Sequence, residues 1–325
     1  MSHYLVTGVA GFIASRVAEM LLEAGHTVVG VDNLNDAYDQ RLKDYRLARL
    51  TRRAGFVFHT LDITDRDAVF ALGEEHAFDA VINLAARAGV RYSVENPWVY
   101  LETNATGVLN LLEMSRRAGV PKFVQASTSS LYGEGNAVPY REDANTDRVL
   151  SPYAASKKAA EALCYTYHRL YGLDVTVFRY FTVYGPAGRP DMAPFRFIQW
   201  ISEGRPLRLF GDGSQSRDFT YVDDIARGTL LGLKPLGYEV INLGNDRPYT
   251  VRELIALIER AVGRKANIVH EPRHPADVET TWASIEKARR LLGWEPTISL
   301  PEGIQRTVAW YQAERAWAAQ ISTGA

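Results

Sequence analysis

The feature that most constrains this chain is an alternation of short apolar runs with helix-length amphipathic segments, begun within the first residues. Residues 4–6, 28–31, 56–59, 80–84, 123–126 and 175–179 read as strands, and helical patterns run between them over about 12–24, 66–75, 98–118 and 152–171. Strand and helix in this order build right-handed βαβ units, so the expected fold is α/β, a doubly wound parallel sheet with helices on both faces. At 325 residues one core no longer accommodates the whole chain. After Gly185 the pattern changes: Pro186, Pro190 and Pro194 break the chain, and the segments through Asp218 become shorter and more irregular. A second, smaller α/β domain is expected there. A strand over 239–243 and a helix over about 251–262 follow and are expected to return to the main sheet, so the two domains interleave. The division expected is 1–185, with 219–245 rejoining it, against 186–218 and 246–325.

Charge narrows the partners. With 37 basic against 38 acidic side chains and a net charge of −1, the chain has no excess to pull it onto a phosphate backbone or an anionic membrane. No stretch approaches the roughly 20 apolar residues of a membrane span. The single cysteine, Cys164, cannot close an internal disulfide, and no charged, then apolar leader opens the chain, so a cytoplasmic address is expected. Cys164 lies within a helical pattern and is read as inert packing.

Two constellations carry chemistry. Val6-Thr7-Gly8-Val9-Ala10-Gly11-Phe12-Ile13-Ala14 joins the first strand to the first helix, where glycines let a backbone approach a pyrophosphate at a helix N-terminus. Asp32 ends the second strand, 21 residues past Gly11, where a carboxylate accepts both ribose hydroxyls and repels a 2′-phosphate; this selects NAD over NADP. Asp62 and Ile63 follow the third strand and would flank the adenine. The second constellation is Tyr153 and Lys157, one turn apart on one helical face. An ammonium and a cationic nicotinamide stabilise a phenolate, which makes such a tyrosine a general base for a hydroxyl group. Upstream, Ser127, Thr128, Ser129 and Ser130 end the fifth strand, a run too polar to be only a turn.

With Asn83-Leu84-Ala85-Ala86, Asn104-Ala-Thr-Gly107, Tyr184-Gly-Pro186 and Gly211 to Phe219, these motifs resemble the extended short-chain dehydrogenase/reductases, in particular their nucleotide-sugar epimerases and dehydratases. The resemblance spans nearly the whole chain. It implies a Rossmann domain holding NAD through Gly8, Gly11, Phe12, Ile13, Asp32, Asn33, Asp62, Ile63, Leu84, Ala85, Ala86, Asn104, Tyr153, Lys157 and Tyr180. It also implies a UDP-sugar substrate, with Thr128 on the reacting hydroxyl, Tyr153 as base, Lys157 on the nicotinamide ribose, and Arg217 on the diphosphate. Dehydratases of this group carry an Asp-Glu pair beside the threonine and related decarboxylases a Glu; Ser129 and Ser130 stand there, so elimination is disfavoured. Tyr180-Phe-Thr182 through Gly-Arg189-Pro-Asp-Met192 resembles the signature of UDP-glucuronate 4-epimerases, as does Ala-Gly-Val-Arg91, although Gln is more usual where Arg87 stands. By that resemblance Thr128, Ser129, Ser130 and Thr182 surround a substrate carboxylate, while Arg189 fixes substrate and loop, Arg91 belongs to the substrate site and Asp277 to the uridine-diphosphate site. A UDP-hexose 4-epimerase, a decarboxylase and a non-catalytic NAD-binding protein remain as other readings. Helices 98–118 and 152–171 carry a surplus apolar face that, by resemblance, pairs with a second subunit as a homodimer. His270-Glu-Pro272-Arg-His274 spells a zinc motif, but Pro272 denies it the helix, so no metal is expected. Asp223 and Asp224 read as a helix N-cap pair.

Overall fold

The computed structural model describes residues 1–272 and 278–324; Asp277, like Arg273 and His274, lies outside them. The described strands are β1 (His3–Thr7), β2 (Thr27–Asp32), β3 (Phe56–Thr60), β4 (Ala80–Asn83), β5 (Lys122–Thr128), β6 (Asp174–Tyr180), β7 (Thr182–Tyr184), β8 (Pro206–Phe210), β9 (Ser216–Tyr221), β10 (Tyr238–Leu243), β11 (Pro248–Thr250) and β12 (Asn267–Glu271).

Seven of them form one sheet in the order β10-β6-β5-β4-β1-β2-β3, with every neighbouring pair parallel. This is the doubly wound sheet expected from the alternation. Successive residues feed opposite faces. Val6, Val28, Ile82, Val124 and Phe178 pack in one core, and Leu5, Val29, Val81, Phe123 and Val177 in the other. Covered on both sides, β4 and β5 have no exposed residue, the usual fate of a parallel strand. Cys164 is fully buried in the second of these cores, and burial pushes its thiol pKa well up, in keeping with inert packing.

Beyond β6 the chain builds a smaller lobe from a three-stranded sheet, β11-β9-β7, and a parallel pair, β12-β8. Its core joins Phe197, Ile198 and Ile201 of helix Ala193–Glu203 to Leu254, Ile255 and Ile258 of helix Val251–Val262 and to Ile304, Val308 and Tyr311 of helix Leu300–Ala313. Of the two elements expected back at the main sheet, β10 returns, beside β6. Helix Val251–Val262 does not. Started by a capping box between Thr250 and Glu253, it packs its apolar stripe into the smaller lobe.

Other departures have local causes. Pro194 sits in the first turn of helix Ala193–Glu203, where a missing N–H costs nothing, so the proline that seemed to break the chain starts a helix. The segment read as one helix over 98–118 is three pieces, with a π turn at Glu102–Thr106 between helices Pro97–Leu101 and Gly107–Arg117. Asp223 and Asp224 lie in the first turn of helix Val222–Leu231, whose N-cap is Tyr221. Asp224 is buried and accepts from the Thr297 and Ile298 N–H groups and the Thr297 hydroxyl, tying down the segment beyond Trp294. His270 and Glu271 are strand residues of β12.

Candidate active site

Six strands of the parallel sheet end at one cleft of about 380 Å³. Gly8 follows β1, Asp32 ends β2, Asp62 follows β3, Leu84–Ala86 follow β4, Thr128 ends β5 and Tyr180 ends β6, and all line its wall. The chain winds outward from β1 through β3 and then crosses back to β4 beside β1, and open α/β sheets form their binding crevices at such a switch point.

The glycine loop has no room for side chains. A Cβ on Gly8, whose φ is +67°, would lie 2.7 Å from Ala85 Cα, and one on Gly11 would lie 2.7 Å from the Gly8 carbonyl oxygen. Helix Phe12–Glu23 starts there with neither a side-chain cap nor an acidic residue in its first turn, leaving its N-terminal dipole to an anion. Asp32 is buried. Its Oδ2 accepts from Ala10 N at 3.2 Å and its Oδ1 from Leu34 N at 2.8 Å, which fixes the carboxylate at the β2 end of the cleft. Asp62 accepts from Asn33 Nδ2 at 2.6 Å and from Thr64 N and Oγ1. A cradle that a Cβ would fill, an open helix N-terminus and a carboxylate placed for hydroxyl groups are the donor and acceptor set a dinucleotide requires.

At the other end, Ser151 caps and Pro152 opens helix Pro152–Tyr171, which presents Tyr153 and Lys157 to the cleft. Lys157 Nζ donates to the Ala126 carbonyl at 3.0 Å, and burial lowers its pKa to about 8. Burial raises the pKa of Tyr153, while the Thr128 hydroxyl and the Arg189 guanidinium pull it back. Thr128 caps the short helix Ser129–Tyr132, accepting from Ser130 N at 3.1 Å, so Thr128, Ser129 and Ser130 curl into the cleft together. Thr182 at the start of β7 faces the same space, as does Arg189, held by Asp191 and by the Ala88 carbonyl.

The cleft therefore gathers Gly8, Gly11, Phe12, Ile13, Asp32, Asn33, Asp62, Ile63, Leu84, Ala85, Ala86, Thr128, Ser129, Ser130, Tyr153, Lys157, Tyr180, Thr182 and Arg189. Asn104 lies beneath the wall. Fully buried in the π turn, it accepts from Arg87 N, donates to Arg87 O and to Ser156 Oγ, and so holds up the loop after β4. Arg91 stacks over Phe210 at 4.4 Å, and Arg217 donates to the Ser216 and Glu279 carbonyls; both lie outside the cleft wall. The sequence reading missed helix Gln40–Leu50 and, with it, Tyr38, Lys43 and Arg46. Tyr38 and Lys43 line the cleft beside Asp32, where Lys43 Nζ reaches 4.0 Å from its carboxylate. Asp39 before that helix, bonded to Arg41 N, was the signal that could have found it.

A family model described as the NAD dependent epimerase/dehydratase family matches residues 4–244. The chain belongs to this family. A member of it from Thermodesulfobacterium geofontis, named UDP-glucuronate 4-epimerase, is 58% identical over 311 residues, 95% of this chain and 96% of its own length. Among solved NAD dependent epimerase/dehydratase relatives, a Bacillus cereus UDP-glucuronic acid 4-epimerase in complex with UDP-glucuronic acid and NAD is similar at a TM-score of 0.90 and 36% identity, over 96% of this chain and 99% of that one. A Thermotoga maritima UDP-glucose 4-epimerase with UDP-glucose reaches a TM-score of 0.90 and 35% identity over the same shares.

Proposed function

We propose that this chain is a UDP-glucuronate 4-epimerase that interconverts UDP-glucuronate and UDP-galacturonate through a 4-keto sugar, with NAD held in the glycine cradle. The observation that carries the reading is the ring of hydroxyls from Thr128, Ser129, Ser130 and Thr182, with Arg189, in the same cleft as Tyr153 and Lys157. A neutral hexose gives such a ring nothing to neutralise. A carboxylate suits it better, since the hydroxyls can donate to its lone pairs while Arg189, itself paired with Asp191, orients that side of the cleft.

NAD, when bound, supplies the acceptor and then the donor of the hydrogen at C4. The rest is the protein's. Tyr153 takes the O4 proton, with Thr128 steering the hydroxyl towards it and the Lys157 ammonium and Arg189 offsetting the phenolate charge. The 4-keto sugar turns within the cleft, and Tyr153 returns the proton to O4 on the new face. Between these events the sugar is a β-keto acid, and loss of CO₂ would yield a pentose. Hydroxyl donors fixed on the carboxylate keep its charge stabilised and its C–C bond out of line with the carbonyl π system. Gly8, Gly11 to Ile13, Asp32, Asn33, Asp62, Ile63, Leu84–Ala86 and Tyr180 serve the dinucleotide, Asn104 supports it from below, Arg217 and Asp277 keep the diphosphate, and Arg91 the substrate lobe.

The proposed division of labour is 1–185 with 219–245 for the dinucleotide and 186–218 with 246–325 for the nucleotide sugar, except that β7 and the end of β9 pair in the smaller lobe's sheet. A homodimer is supported by the apolar side chains left open on helices Pro97–Leu101, Gly107–Arg117 and Pro152–Tyr171, among them Trp98 at 72% exposure, Leu101, Leu109, Tyr165 and Leu170. No described helix is long and apolar enough to cross a membrane; the cytoplasm remains the proposed address.

The test is to incubate the protein with UDP-glucuronate and, separately, UDP-glucose, with and without added NAD, and to resolve products by anion exchange with mass detection. UDP-galacturonate from the first and little conversion of the second is the expected result. UDP-galactose alone would transfer the reading to a UDP-glucose 4-epimerase.

A further inference from the structure

One arginine behind the cleft binds both of its halves. Arg46, on the buried face of helix Gln40–Leu50, is 3% exposed, and no carboxylate pairs with it among the described residues. Its guanidinium spends its donors on oxygens from three separate segments. Nη1 donates to the Ala10 carbonyl of the glycine loop at 3.1 Å and to the Tyr38 hydroxyl at 2.7 Å. Nε and Nη2 both donate to the Ala187 carbonyl, at 3.0 and 2.6 Å, and Nη2 also reaches the Gly188 carbonyl at 3.3 Å. The planar fork suits this work, and a lysine offers no equivalent.

The grip falls where the backbone needs it. Ala187 has a φ of +51°, a left-handed conformation that a residue with a Cβ adopts only under external constraint. Arg189 comes two residues later, with its guanidinium on Asp191 and the Ala88 carbonyl at the cleft wall. Without support at 187, the backbone has a lower-energy alternative with negative φ, and Arg189 would leave with it.

We propose that Arg46 is a positioning residue that joins the dinucleotide loop to the loop bearing Arg189, and that Arg189 faces Tyr153 only while Arg46 grips the carbonyls of Ala187 and Gly188. This rests on the reading of Arg189 as a substrate contact. It gives the enzyme a direct mechanical link between its two ligands, because the atom that fixes the glycine loop and the atoms that fix the substrate loop belong to one rigid group.

The experiment compares the wild type with R46K and with R46K combined with A187G, measuring kcat and KM for UDP-glucuronate, the dissociation constant for NAD and thermal unfolding. R46K should raise KM about tenfold, the loss of a pair of buried hydrogen bonds, with a smaller fall in kcat, and should weaken NAD binding several-fold. Adding A187G should recover about fivefold of the lost KM, because glycine holds a positive φ without help. Should R46K fail to fold, Tyr38→Phe, which removes one partner of the guanidinium, should show the same split at smaller size. The proposal is overturned if KM stays at the wild-type value, if kcat alone falls, or if A187G restores nothing. A wild type inactive on UDP-glucuronate would sink the functional reading instead, and the NAD constants would still decide whether Arg46 holds the glycine loop.

Discussion

At Lys157 burial leads to an expected pH limit on catalysis. The ammonium ordinarily titrates near 10.5, and desolvation brings it to about 8. It is charged well below that value and loses its proton as pH rises through it, so the positive charge that the proposed mechanism sets beside the Tyr153 phenolate would disappear on the alkaline side. Turnover should therefore decline above about pH 8. In K157R, whose guanidinium stays charged, the residual activity should lack that alkaline limb; a limb that persists unchanged in a pH–kcat profile would assign it to another group. Thr182 carries a second expectation. Thr182→Ala removes one donor from the proposed carboxylate ring, and mass detection should reveal UDP-4-keto-pentose and CO₂ accompanying epimerisation, whereas equal product purity in mutant and wild type would free Thr182 of this role. Single residues of this kind were legible because their chemistry is local: a glycine against a backbone, a tyrosine one turn from a lysine, a carboxylate at a strand end. Lys43 and Arg46 were not, because nothing local announces a cation folded inward.

The same two cations explain why an entire helix was invisible. Helix Gln40–Leu50 buries Leu42, Lys43, Arg46 and Leu50, so two of its four inward positions are charged and the apolar period that signals a helix is broken. The strands of the main sheet had less of this handicap, since its centre is covered on both faces and each carries a short apolar stretch, such as Tyr4–Val6 in β1 and Ala80–Ile82 in β4. The short, more polar strands of the smaller lobe, such as β9 and β12, carry no such run and were not read. The π turn inside the helix read over 98–118 was hidden for a different reason. A π turn costs one extra residue, and only the tertiary need to bring Asn104 under Arg87 makes that worthwhile. Asn104→Ala would strand the half-buried N–H and C=O of Arg87 and remove the donor to Ser156 Oγ. It should cost about 1–3 kcal/mol in urea unfolding and loosen the loop after β4 that closes over the glycine turn. A loss under about 0.5 kcal/mol would mean that another group satisfies Arg87.

For the molecule as a whole, the open apolar side chains on helices Pro97–Leu101, Gly107–Arg117 and Pro152–Tyr171 are the face that the proposed homodimer would cover with a second copy. Light scattering should give twice the 36.3 kDa chain mass, and Trp98→Glu with Leu170→Glu should return it to the monomer while leaving far-ultraviolet dichroism intact. A wild type of single-chain mass would leave that face without a role in assembly. Long-range closure shows up in one more place. The loop at the β2 end of the cleft is backed by residues almost three hundred positions later: Asp39 accepts from Ser322 N at 3.0 Å, Arg41 donates to the Gln320 carbonyl at 2.6 Å, and Trp317 lies against Tyr45. During synthesis the strands that carry the glycine turn leave the ribosome early, yet the helix beside the cleft gains these last contacts only when residues 317–322 have emerged. A nascent chain can thus pair β1 to β6 well before this flank of the cleft is fully backed, and the last reinforcement of that side waits for the final residues of the chain.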